Sequence, residues 1–130
     1  MTDLLSHCRA QTDAVVQLLA TLVELESFTA AKPEVDQLVN YLEQHLATVG
    51  TPHITRIPQS QVGDCLVVKW NADLPSTPIL VLMHVDTVWQ IGTLTERPLR
   101  FSEDGLMFAP GVLDMKGGLA VAIHAMKVLH

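Results

Sequence analysis

The sequence is short of aromatic residues, of cysteine and of positive charge, and each shortage removes a class of function. Aromatics make up 5% of its 130 residues, and 8 Lys and Arg face 14 Asp and Glu, for a net charge of −6. With no basic stripe and little to stack bases on, neither nucleic acid nor an anionic membrane surface is an expected partner. Two cysteines, Cys8 and Cys65, cannot build a disulfide framework. They read as packing residues, and a reducing cytoplasm is the expected location. No unbroken apolar run exceeds five residues, against the ~20 that a membrane-spanning helix needs. Residues 1–16 carry Asp3, Arg9 and Asp13 and no apolar stretch, so no secretory signal is expected.

What is present is apolar and patterned. Hydrophobic residues make up 48% of the chain, and the mean hydropathy of +0.29 excludes disorder over most of it. Val15, Leu18, Leu19, Leu22 and Val23 recur at helical spacing, predicting one helix from about Asp3 to Glu26 that Ser27-Phe28-Thr29 breaks. Pro33 suits the first turn of a second helix. Its stripe is Val35, Leu38, Val39, Leu42, Leu46 and Val49, and Gly50 then Pro52 stop it. Short β segments follow at His53–Ile57 and Cys65–Trp70. Ile79–Met83 is a continuous apolar run, the pattern of a strand buried on both faces. Leu99–Phe101 and Leu106–Phe108 flank Ser102-Glu103-Asp104-Gly105, a hairpin signal. From Lys116 to His130 the chain is apolar nearly all round, which predicts a buried helix. The fold class expected is α/β: a mixed twisted sheet with helices packed on both faces.

Two places carry chemistry. The first is Leu82-Met83-His84-Val85-Asp86-Thr87-Val88, where polar residues end the apolar run. On a strand, His84 and Asp86 fall on one side. Ligands of open α/β sheets bind beyond the carboxyl ends of strands. A metal-binding imidazole has its second nitrogen held by a carboxylate or carbonyl, a part Asp86 is placed to play. Taken alone, the motif is equally a capped strand end. The second place is Ala109-Pro110-Gly111-Val112-Leu113-Asp114-Met115-Lys116-Gly117-Gly118, which opens the last helix. A carboxylate there can bridge two cations, as in two-metal hydrolases. Taken alone, Asp114 reads rather as a helix N-cap. Of the other histidines, His45 lies off the apolar stripe and is expected in solvent, and His124 is expected as a satisfied core residue.

In order and spacing these two motifs resemble the M20 family of dinuclear zinc peptidases. The segments Trp89-Gln90-Ile91-Gly92-Thr93-Leu94 and Glu96-Arg97-Pro98, with the Asp104-Gly105 turn, look like its glutamate carboxypeptidase branch. The likeness is close over Ile79–Leu119 and loose elsewhere. Met83, Gln90 and Ala109 depart from the glycine, proline and glycine common at those places.

The resemblance implies that His84 ligates one zinc and that Asp114 bridges both, with cobalt as an alternative metal. It makes Asp86 the catalytic carboxylate that orients His84, and it implies a cis peptide at Asp114–Met115. The implied activity is cleavage of an amide bond in a peptide or N-acyl amino acid, by a carboxypeptidase or a deacylase, in a complete protein that is a homodimer. The family's adjacent Glu-Glu pair, whose first member is the general base, has no counterpart: no two of Glu24, Glu26, Glu34, Glu43, Glu96 and Glu103 are adjacent, and none follows Asp114. Residues 1–130 are therefore expected to be the N-terminal part of the catalytic, metal-binding domain, without its remainder or the dimerisation domain. As such they would bind metal weakly and hydrolyse nothing. The competing expectation is a non-catalytic α/β remnant or interaction module.

Overall fold

A computed structural model describes residues 3–130. The single N-terminal helix expected is two. Asp3 caps α1 (Leu4–Ala10) by accepting the Leu5 N–H at 3.2 Å, and the chain turns at Gln11 before α2 (Thr12–Glu24). α1 buries none of its residues, whereas α2 buries Leu18, Leu22 and Val23. α3 (Lys32–Leu46) has Pro33 in its first turn and buries Val35, Leu38, Val39, Leu42 and Leu46 of the expected stripe; Val49, its last member, lies past the helix end and is buried too.

These helices and α5 (Gly117–Leu129) share one core of Leu18, Leu22, Leu38, Leu42, Leu46, Val49, Leu119, Ala120 and Ile123. Each such leucine contributes roughly 1.5–3 kcal/mol by leaving water. Strands β1 (His53–Ile57) and β2 (Cys65–Lys69) pair antiparallel, Ile54 opposite Val68 and Arg56 opposite Leu66. Ile54, Leu66 and Val68 pack against the core. Trp70 fastens this ribbon to the end of α3 by donating Nε1–H to the Val49 carbonyl at 2.7 Å. Asp64, ahead of β2, accepts from Lys32 Nζ at 2.6 Å and Arg56 Nε at 2.7 Å, and Lys32 also pairs with Asp36. That cluster ties the strand connection to the first turn of α3.

The expected hairpin forms as β3 (Arg100–Phe101) and β4 (Met107–Phe108), preceded by the one-turn α4 (Thr93–Glu96). The chain mixes α and β, with its assigned strands in two small antiparallel ribbons.

Several local expectations change. Ile79–Met83 belongs to no strand, and Ile79 is 90% and Leu82 85% exposed. An apolar run is buried only when neighbours flank it; here Met83, at its end, packs against the core while Ile79–Leu82 stay exposed. α5 is buried on one side only: Leu119, Ala120, Ile123 and His124 face inward, while Val121 and Leu129 are exposed. His45 is half-buried rather than solvated, because His124 and Lys127 of α5 approach it, and its Nε2 has no hydrogen-bond partner. Burial first, then repulsion from Lys127 and from His124 when charged, hold its pKa below the ordinary histidine value. His124 is the satisfied core histidine expected, its Nδ1 lying 3.2 Å from the Ala120 carbonyl. Cys8 and Cys65 are exposed and free, not packed. No helix among the described residues is long and apolar enough to cross a membrane.

Candidate metal centre

The segment carrying His84 and Asp86 is fastened by the turn after α2. Ser27 is fully buried and donates its hydroxyl to the Val85 carbonyl at 2.8 Å. The Thr87 N–H donates to the Ser27 carbonyl at 2.7 Å, and the Thr29 N–H to the Thr87 carbonyl at 2.9 Å. Phe28 and Thr87 thus form a parallel bridge. The Ser27-Phe28-Thr29 break is therefore also the brace of the site.

Asp114 arrives from the other side. Gly111 takes φ +75°, and a Cβ there would stand 2.8 Å from Thr87 Cγ2, so this turn needs glycine twice over. Asp114 is then extended (φ −118°, ψ 99°), and the Asp114–Met115 peptide is cis, as the resemblance implies. Lys116 anchors the far end of the turn. It is 1% exposed, and its ammonium donates to the Leu25 carbonyl at 2.8 Å.

These two anchorages bring together side chains 30 residues apart: His84 Nε2 lies 3.0 Å from Asp114 Oδ1. His84 Nδ1 lies 2.9 Å from the Asp86 carbonyl and 3.4 Å from its carboxylate Oδ1. The expected partner residue is thus present, with its backbone oxygen the nearer of the two. Partial burial alone would lower the His84 pKa, but hydrogen bonds to Asp114 and Asp86 outweigh it and raise the pKa above the ordinary value. The side chains remain accessible, His84 at 47% and Asp114 at 86%. With Thr29, Thr87, Val88 and Trp89 they line a cavity of about 130 Å³.

An imidazole nitrogen and a carboxylate oxygen, once the proton between them is displaced, are donors that zinc and similar divalent ions take. His84 and Asp114 are the two residues here that would hold one. Among the described residues, no group of three or more His, Cys, Asp or Glu gathers where a metal ion could sit.

Sequence reasoning missed Glu26, Thr29 and Trp89. Glu26 accepts the Gly92 N–H at 2.7 Å and the Leu94 N–H at 3.0 Å, holding the loop that carries Trp89 to the cavity wall. The Arg97 guanidinium stacks 4.9 Å over the Trp89 ring. A lone glutamate near a helix end signals none of this, because its partners lie 66 and 68 residues away.

Fold and site together define an α/β protein whose histidine and aspartate, from distant segments, meet in one cleft. The comparison with known proteins is more particular. The model of peptidase family M20/M25/M40 matches residues 80–130, the stretch that contains both site segments. In an alignment 126 positions long that covers 93% of its length, the chain is 34% identical to Carboxypeptidase G2 of Pseudomonas sp. (strain RS-16). By both matches the chain is similar to part of an M20 peptidase. It spans 30% of the length of that relative.

Proposed function

We propose that this chain is the N-terminal, metal-binding part of the catalytic domain of a zinc hydrolase that cleaves an amide bond. The observation that carries the reading is the 3.0 Å approach of His84 Nε2 to Asp114 Oδ1. His84 would ligate one ion and Asp114 would bridge two; zinc fits the nitrogen and oxygen donors, and cobalt would substitute. Bound there, the metal would polarise a carbonyl and acidify a water.

The chain's own residues have simpler tasks. The Asp86 carbonyl and carboxylate lie against Nδ1 of His84 and would hold its N–H when Nε2 gives its lone pair to a metal. The cavity beside them has one apolar wall, Val88 and Trp89, against which an acyl or peptide chain would lie. The relative's name supports a carboxypeptidase that releases a C-terminal residue such as glutamate, with an N-acyl amino acid deacylase as the neighbouring reading. The complete protein would be a homodimer. Exposed free cysteines favour a reducing, cytoplasmic setting.

With two protein donors, the 130 residues alone bind zinc weakly and hydrolyse nothing, since a catalytic zinc takes three protein ligands and an open position. Elemental analysis after equilibrium dialysis tests this. Sub-stoichiometric zinc that His84→Ala and Asp114→Ala both abolish supports the reading. Zinc retained at the same level by both variants contradicts it. Turnover of acyl-glutamate or N-acetyl amino acids by the chain alone would contradict its stated incompleteness.

A further inference from the structure

A second cavity, larger than the one beside His84, has no part in the function proposed above. It holds about 270 Å³ and lies where α2, α3 and α5 meet. Its polar wall is Gln17 and Thr21 from α2, Tyr41 and His45 from α3, and His124 and Lys127 from α5. Ala14 and Leu18 complete the lining, so no carboxylate lines it. The chain as a whole is acidic, with 14 Asp and Glu against 8 Lys and Arg. A wall of one ammonium and two imidazoles with no acid between them therefore stands out, and such a concave wall attracts anions.

The hydrogen bonding points the same way. Lys127 pairs with no carboxylate among the described residues. His124 Nδ1 lies 3.2 Å from the Ala120 carbonyl, which can only accept, so Nδ1 carries a proton and a second proton would go to Nε2. His45 is stacked on the Tyr41 ring, centroids 5.6 Å apart and planes at 21°. Its Nε2 is closed from water and has no hydrogen-bond partner. A polar nitrogen left in that state costs free energy until a partner reaches it. Besides burial, what bears on the charge of His45 is positive: Lys127 and then His124, both from α5. From α2 come only the neutral Gln17 and Thr21, and the Thr21 hydroxyl is already donating to the Gln17 carbonyl at 3.2 Å.

Size and shape narrow the ligand. The volume falls short of the ~300–1,000 Å³ of pockets for drug-sized molecules. Donors arriving from two different helices suit an ion with oxygens in several directions rather than a flat carboxylate. We propose that this three-helix cavity binds a small tetrahedral oxyanion, a phosphate or sulfate group, through Lys127, His45 and His124. A bound anion favours the charged imidazoles, so its affinity rises as pH falls. The claim is independent of the metal reading and holds whether or not the complete protein hydrolyses amides.

Sulfate is the first probe, because it stays dianionic between pH 6 and pH 8 and any pH dependence then belongs to the protein. The 130-residue chain carries ¹⁵N-labelled imidazoles, with ionic strength held constant by chloride and chelator present. Sulfate should shift the His45 and His124 resonances together and saturably, while His84, which faces Asp86 and Asp114, stays unmoved. Binding should be several-fold tighter at pH 6 than at pH 8. Lys127→Met should weaken it about tenfold, the size of one charge-assisted hydrogen bond, and Lys127→Arg should retain most of it.

Lys127 is exposed, so both variants should fold. Lys69→Met, at an exposed position of β2, removes the same charge elsewhere and should leave the affinity nearly unchanged. Inorganic phosphate at pH 8 forms a second arm, and the tighter of the two ions identifies the group the cavity prefers. No saturable shift at His45 and His124 with either ion overturns the proposal, as does an equal loss in Lys69→Met and Lys127→Met. Acetate binding as tightly as sulfate overturns the tetrahedral assignment. A cavity whose two histidines answer zinc but neither anion is a cation site, and the proposal falls.

Discussion

Lys116 gives the sharpest stability prediction. It is 1% exposed, its ammonium donates to the Leu25 carbonyl, and burial pushes its pKa from 10.5 down to about 8. A shift of that size corresponds to roughly 3 kcal/mol of bias against the charged form in the folded state, at ~1.4 kcal/mol per pKa unit. The sign follows from proton counts. Between pH 8 and 10.5 the unfolded chain binds the proton and the folded chain does not, so stability rises with pH across that window. Below about pH 8 the full cost is present, and above 10.5 it is absent.

Lys116→Met keeps the length of the side chain and removes the charge. At pH 7 it should stabilise by about 1–2 kcal/mol, the relief being offset by about 1–2 kcal/mol for a carbonyl left unpaired. Urea unfolding at several pH values, with chelator present to exclude stray metal, measures both quantities. The variant should lose the rise between pH 8 and 10.5. Equal pH slopes for the two proteins would refute the reasoning.

Three further outcomes follow from particular contacts. Gly111→Ala should destabilise by about 1–2 kcal/mol, the cost of a left-handed residue with a side chain, and should weaken zinc binding because the turn carrying Asp114 shifts; unfolding curves and dialysis check both. Hydrogen bonds from Lys32, Gln59 N–H and Arg56 hold the Asp64 carboxyl well below the usual range. Asp64→Asn should therefore lower stability at neutral pH, and the difference from the parent should shrink as pH falls below 3.8, which acid unfolding of the two proteins compares. The exposed run Ile79–Leu82 should drive concentration-dependent association; Leu80→Lys with Leu82→Lys should reduce it in light scattering, and a parent chain monomeric at every concentration would contradict this.

How much of this was legible in the sequence depended on the range of the contact. The α3 stripe could be read because Val35 to Val49 repeat at the helical period and meet one core. The hairpin could be read because its turn chemistry is local, with Gly105 at φ +81°. His84 and Asp114 stood out as polar residues at the edges of apolar segments, where side chains leave a core. The break at Gln11 carries no glycine or proline to announce it. The exposure of Ile79–Leu82 depends on neighbours, which no local pattern encodes. His45 was misjudged because α5, not its own helix, covers it. Ser27, Thr29 and Glu26 act on partners 57 to 68 residues away, so their bracing role appeared only once the chain was folded.

The central claim is that a histidine and an aspartate from distant segments form one metal-binding cleft. Zinc titration of the ¹⁵N-labelled chain, read at the imidazole nitrogens of all six histidines, tests it most directly. The account predicts that His84 Nε2 responds first and that Asp114→Asn weakens the response at least tenfold. Zinc that binds at other histidines while His84 stays unmoved, or a His84 response indifferent to Asp114, would contradict it.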